Sequence, residues 1–73
     1  MSFAPRARLT GDPHLAGSRE YLVCERGSIQ LTTLSERWTL SEGDVVVYRG
    51  DQSHGYANPG DSPAVAYTVI LPG

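Results

Sequence analysis

The sequence predicts an all-β fold, a small sandwich or barrel of five or six short strands. Three observations carry that expectation. Runs of β-branched and aromatic residues recur at roughly ten-residue spacing, bounded by Gly, Pro, Asn, Asp or Ser. No segment holds apolar residues at the period of an amphipathic helix. The last run, Ala64-Val-Ala-Tyr-Thr-Val-Ile-Leu71, is almost continuously apolar, the pattern of a strand covered on both sides.

The elements follow in order. Residues 1–18 contain two prolines and two glycines and little periodicity, so they are expected to form an irregular arm with room for a short strand around 6–10. From Arg19 the strand signals become dense. Tyr21-Leu-Val-Cys24 is a compact apolar run closed by an Arg26-Gly27 turn. Residues 28–33 alternate, with Ile29 and Leu31 on one face and polar side chains on the other. Residues 36–40 come after only Leu34-Ser35, which is hairpin spacing, although Leu-Ser suits a primed turn poorly. Ser41-Glu-Gly43-Asp44 is a better turn, because glycine supplies positive φ. Residues 45–48 are the most strand-like of all. A corner at 49–53 leads to a short strand at 54–57, a turn at 58–61 and the long final strand.

Two spaced motifs add to this pattern. Gly43, His54 and Asn58 fit the form G-x5-P-x-G-x2-H-x3-N, with Arg49 in the proline place and Asp51 in the second glycine place. Upstream, Glu20 and Gly27 fit the second half of G-x5-H-x-H-x3,4-E-x6-G. On these residues the chain resembles the cupin superfamily. Within it, the likeness is to the small conserved barrel found behind helix-turn-helix domains in bacterial transcriptional regulators. The resemblance spans about Asp12 to Leu71 and implies a jelly-roll-like cupin β-barrel: one domain over 1–73, with an arm at 1–18 and a barrel core at 19–71. Such barrels normally begin with one or two strands before the first motif, so the barrel is expected to be incomplete at its N-terminal edge. Exposed edges are normally paired or covered, and a homodimer that pairs edges or exchanges arms would do so.

The resemblance also implies a site. His14, Glu20 and His54 would form a two-histidine, one-carboxylate set able to hold one divalent transition metal, iron, manganese, nickel or zinc. The histidine pair of the first motif is broken. His14 is either the first histidine, with Ala16 in place of the second, or the second one displaced, with Asp12 in place of the first. A competing reading makes His14 a solvated loop residue and Glu20 a strand-edge carboxylate paired with Arg19, Arg37 or Arg49. Trp38, Tyr48, Tyr56 and Tyr67 are candidates to line a ligand pocket, and Tyr56, which shares the His54 face, is the best of the four. Arg49 stands near the barrel mouth, as an anion clamp or in a surface ion pair with Asp51 or Glu42. Cys24 is a thiolate or redox candidate, although a free cysteine is more often plain core. Asn58, Gly43 and Gly27 are structural.

Composition narrows the function classes. The six basic residues are all arginines and are scattered, so the clustered footprint of a nucleic-acid binder is missing. No apolar run approaches the roughly 20 residues that span a bilayer, and the first residues lack the apolar core of a signal peptide. The expectation is a soluble cytoplasmic domain with no membrane partner. A single cysteine excludes an internal disulfide, which leaves a metal or a second subunit to support so small a core. Three functions are compatible. In order, they are a small-molecule-binding sensor domain, a stand-alone metal-dependent isomerase or dioxygenase with no nucleophile of its own, and a non-catalytic dimerising module.

Overall fold

Eight strands and no helix make up the described part of the chain, residues 1–11 and 17–71 of a computed structural model. They are β1 (Ser2–Phe3), β2 (Arg8–Gly11), β3 (Arg19–Arg26), β4 (Ser28–Thr33), β5 (Arg37–Ser41), β6 (Val45–Arg49), β7 (His54–Ala57) and β8 (Ala64–Leu71). Two four-stranded antiparallel sheets face each other, in the orders β1-β8-β3-β6 and β2-β7-β4-β5. Most sequence neighbours lie in different sheets, which is the jelly-roll form of the expected barrel.

Alternation decides what fills the space between the sheets. On β3 the even-numbered residues Glu20, Leu22 and Cys24 are buried, while Arg19 and Glu25 are exposed. On β4, Ile29 and Leu31 turn inward as their pattern predicts. Leu22, Ile29, Leu31, Leu40, Ala64 and Ala66 form the apolar floor, joined by Phe3 and Cys24. Each fully buried leucine or isoleucine contributes about 1.5–3 kcal/mol.

The structure differs from the sequence reading in three places. The arm holds two strands. β1 pairs with the start of β8, Ser2 opposite Val65 and Phe3 opposite Ala64, and β2 pairs with β7 from Arg8–Ala57 to Gly11–His54. β2 overlaps the short strand expected around 6–10, whereas β1, two residues long, is too short for alternation to show in the sequence. The second difference is the β4–β5 connection, a three-residue loop rather than a two-residue turn. Thr33 N donates to Glu36 O at 2.9 Å and Glu36 N donates to Thr33 Oγ1 at 3.3 Å, so the threonine hydroxyl does work that Leu-Ser cannot. Lastly, β8 is not covered on both sides: Tyr67, Val69 and Leu71 are nearly half exposed on its outer face.

Turn chemistry closes the remaining corners. Gly43 takes φ 89°, Asp44 N donates to Ser41 O, and Asp44 Oδ2 accepts from Ser41 N at 2.9 Å. Asn58 holds the β7–β8 turn, as its structural assignment required. Its Nδ2 donates to the carbonyls of Ser62 (2.8 Å), Phe3 and Ala4 (3.2 Å each), while Oδ1 accepts from Gly60 N.

Candidate ligand and metal site

At one end of the space between the sheets, apolar packing gives way to four polar side chains. Glu20 comes from β3, the strand between β8 and β6, and lies opposite Tyr48 on β6 and Ile70 on β8. His54 opens β7 in the other sheet, between Gly11 of β2 and Thr33 of β4. Both are buried, Glu20 to 1% and His54 to 5% exposure. Glu20 is therefore no strand-edge carboxylate, and no arginine pairs with it among the described residues.

A directed chain of hydrogen bonds fixes the carboxylate. Tyr56 donates to Glu20 Oε1 at 3.1 Å, and its own oxygen sits 2.7 Å from the Tyr48 hydroxyl. Since the Tyr56 proton goes to glutamate, Tyr48 is the donor of the second bond. Oε2 faces His54 Nε2 at 3.8 Å. The other imidazole nitrogen, Nδ1, lies 2.9 Å from Gln52 O. A carbonyl only accepts, so Nδ1 carries a proton, and Nε2 is the nitrogen turned to the glutamate. Both tyrosine rings meet the imidazole edge-on, with centroids 5.4 Å away. Gly11 makes room for this ring, because a Cβ there would collide with His54 Nε2.

Burial disfavours ionising the tyrosines. Desolvation pushes the Tyr56 phenol up to about 12, and desolvation with the Tyr56 hydrogen bond pushes Tyr48 higher still. Both stay neutral donors at physiological pH and are poor metal ligands.

The site fits half of a metal centre. Glu20 Oε2 and His54 Nε2, 3.8 Å apart, are the two atoms that would hold a divalent metal. Among the described residues no third histidine, cysteine or acidic group joins them. His14, the expected third ligand, lies outside the described residues, so the trio as a whole is beyond them.

The other candidates lie elsewhere. Cys24 belongs to the core at the far end of β3, its thiol directed at Gly27 O (3.4 Å) and Arg26 O (3.7 Å), with burial raising its pKa. Trp38 is half-buried on β5, packed against the core. Arg49 is exposed and grips Asp51 with two bonds, Nε to Oδ1 at 3.1 Å and Nη2 to Oδ2 at 2.9 Å. That is the surface ion pair weighed against the anion clamp. Tyr48, one of the four aromatics that could line a pocket, joins the site through its place opposite Glu20.

The family model for the cupin domain matches residues 1–70, nearly the whole chain. The chain belongs to the cupin family. No curated protein matches this cupin. Among solved structures it is similar to the Cupin_2 domain of an XRE-family transcriptional regulator from Enterobacter cloacae. The two are 29% identical with a TM-score of 0.91, over 99% of this chain and 76% of that one. An HTH_3-family transcriptional regulator from Vibrio cholerae shares the fold at 22% identity and TM-score 0.87, over 99% of this chain and 40% of that one. A cupin-superfamily sugar phosphate isomerase from Silicibacter pomeroyi shares it at 21% and 0.74, over 99% and 47%. The cupin thus spans less than half the length of the last two.

Proposed function

We propose that this cupin is a small-molecule-binding domain of the regulatory kind, with its ligand taken up at the Glu20–His54 end of the barrel. The observation that carries this reading is the convergence of a carboxylate, an imidazole and two neutral phenols from both sheets on one buried point. Such a set suits a ligand with both donor and acceptor groups, fixed by a few convergent polar contacts. The likeness to a regulator's cupin domain at 29% identity supports the regulatory assignment.

A divalent transition metal, iron, manganese, nickel or zinc, belongs to the same proposal. Glu20 Oε2 and His54 Nε2 would hold it, with His14 as third ligand. When bound, it would supply a Lewis acid that polarises a ligand oxygen. The chain's own residues do the rest. Gln52 O holds Nδ1 so that Nε2 turns to the glutamate, and Tyr56 occupies Oε1 so that Oε2 turns to the imidazole. Metal analysis after reconstitution, with calorimetric titration of Mn²⁺, Ni²⁺ and Zn²⁺, tests this part. About one equivalent is expected, with affinity falling at least tenfold in His54→Ala, in keeping with loss of a direct ligand. Less than about a tenth of an equivalent in the wild type removes the metal, and the ligand site then rests on the polar cluster alone.

The isomerase reading has one observation in its favour. A buried carboxylate held between an imidazole and a phenol suits proton transfer next to a carbonyl. Turnover of a phosphorylated aldose or ketose, abolished by Glu20→Gln, would move the protein into that class.

A further inference from the structure

The outer face of the β2-β7-β4-β5 sheet carries a trough along β7. Gly55 and Ala57, the odd-numbered residues of that strand, turn outward, and both have almost no side chain. Longer side chains border them in two rows. One row runs Arg8–Ala57–Gln30, and the next runs Thr10–Gly55–Thr32–Arg37. The cavity between them is about 300 Å³, with Arg8 and Arg37 among its walls, at the lower end of the range of small-molecule sites. Gly55 is the unexpected residue. Glycine inside a strand weakens it and often marks the close approach of a ligand or another backbone. Of the two glycines in the described strands, Gly11 is required by the His54 ring. Gly55 is under no such constraint. Its φ is not in the left-handed region, and a Cβ there would meet only Leu9 O at 3.7 Å, an ordinary contact. Folding alone does not call for a glycine at this position.

We infer that this trough binds a small phosphorylated molecule, its phosphate oxygens gripped by Arg8 and Arg37 and its body lying over Gly55. Charge selects that occupant. The chain has a formal net charge of -2, yet no carboxylate lines the trough among the described residues. Arg8 and Arg37 are both exposed, and neither guanidinium has an ion pair or hydrogen bond among the described residues. Arg6 and Arg49, by contrast, are already held by Asp61 and Asp51. Arg8 and Arg37 stand at diagonal corners, three strands and two residues apart. Strand geometry puts their Cα atoms about 16 Å from each other, so both long side chains are within reach of one small molecule on the trough floor. Guanidinium forks match phosphate oxygens bidentately, and the Thr10 and Thr32 hydroxyls on either side of Gly55 add neutral donors. A nucleic acid would need a longer basic track than two arginines provide. The trough lies on the opposite side of the sheet from the buried His54, and it stands whether or not the barrel interior takes up a ligand.

Calorimetric titration of the full chain with pyrophosphate tests the proposal, in chelator-treated buffer so that no metal carries the phosphate. One pyrophosphate per chain is expected, with a dissociation constant in or below the millimolar range that rises as salt is added. Gly55→Val should fill the trough and weaken binding by about tenfold or more. Its circular dichroism should be unchanged and its thermal melt no lower, because valine suits a strand and meets no backbone there. Arg8→Gln and Arg37→Gln should each weaken binding by about tenfold or more, the effect of losing a charged hydrogen bond. Arg26→Gln, on the other sheet, should bind as the wild type does. A wild type that binds no pyrophosphate at millimolar concentration overturns the proposal. So does binding left intact by Gly55→Val or by both trough arginine substitutions. Citrate binding as tightly as pyrophosphate would make the site one for carboxylates and overturn the phosphate assignment. If Gly55→Val fails to fold, the arginine variants decide alone.

Discussion

Tyr56 donates to Glu20 Oε1 and accepts from Tyr48, so the two phenols should not be equivalent when their hydroxyls are removed. Tyr56→Phe deletes a bond to a carboxylate and strands the Tyr48 hydroxyl, and is expected to cost about 2 kcal/mol in chemical denaturation. Tyr48→Phe removes only a neutral donor and should cost about 1 kcal/mol. The reverse order would show that the chain of donors runs the other way. Cys24 makes a second residue-scale prediction. Its pKa is raised by burial above the ordinary 9.0, so the neutral thiol contributes stability that is complete below pH 9.0 and is lost as pH rises through the higher folded value. Ellman's reagent at pH 8 should therefore leave the folded protein unlabelled and react within minutes once denaturant is added. Equal rates in both states would place the thiol at the surface.

At the scale of elements, two glycines with similar backbone angles should respond differently to alanine. Gly43, at φ 89°, has open space where a Cβ would sit, so Gly43→Ala costs only the left-handed conformation, about 1–2 kcal/mol. Gly27, at φ 75°, would place a Cβ 2.9 Å from Pro63 O and 3.2 Å from Ala64 Cα. Gly27→Ala adds a backbone clash between β3, β4 and β8, worth about a further 1–3 kcal/mol. Thermal melts of the two variants should differ by about 5 °C or more; coincident melts would contradict the packing at Gly27. The strands from Arg19 onward were legible because alternation and turn residues agree there. The site was only partly legible. Glu20 and His54 follow from motif spacing, and Tyr56 follows from sharing the His54 parity. Tyr48 does not, because Val45, Val46 and Val47 include no polar residue to show which parity faces inward. β1 left no trace, since two residues carry no period.

For the whole molecule, closure depends on one side chain. Asn58 sits between β7 and β8, which belong to different sheets, and reaches carbonyls at Phe3 and Ala4 near the chain's beginning. Asn58→Ala leaves those carbonyls and Ser62 O without their amide donor. It should cost about 2–3 kcal/mol, or about 10–20 °C in Tm for a domain of this size. Hydrogen exchange should show the β1 and Met1 bonds to β8 opening first, and uniform protection in the variant would argue against a fastening role. The outer face of β8 was misleading for a reason of scale. Continuous apolarity there signals cover on both sides, and one chain supplies cover on one side only.

β3 is thus a ribbon with two readers. Its even positions address the interior, Glu20 foremost, and its odd positions, Tyr21 and Val23, address the outside. In β4 or β5 a substitution at the exposed Thr32 or Arg37 should be nearly silent for folding. In β3 the odd positions Tyr21 and Val23 are half-buried too, so no parity is silent. A saturation scan scored for folding and ligand uptake should find both parities of β3 intolerant, but through different readouts. A slip of one residue would exchange the two messages completely, so the strand that carries most meaning is also the one whose register has least freedom to drift.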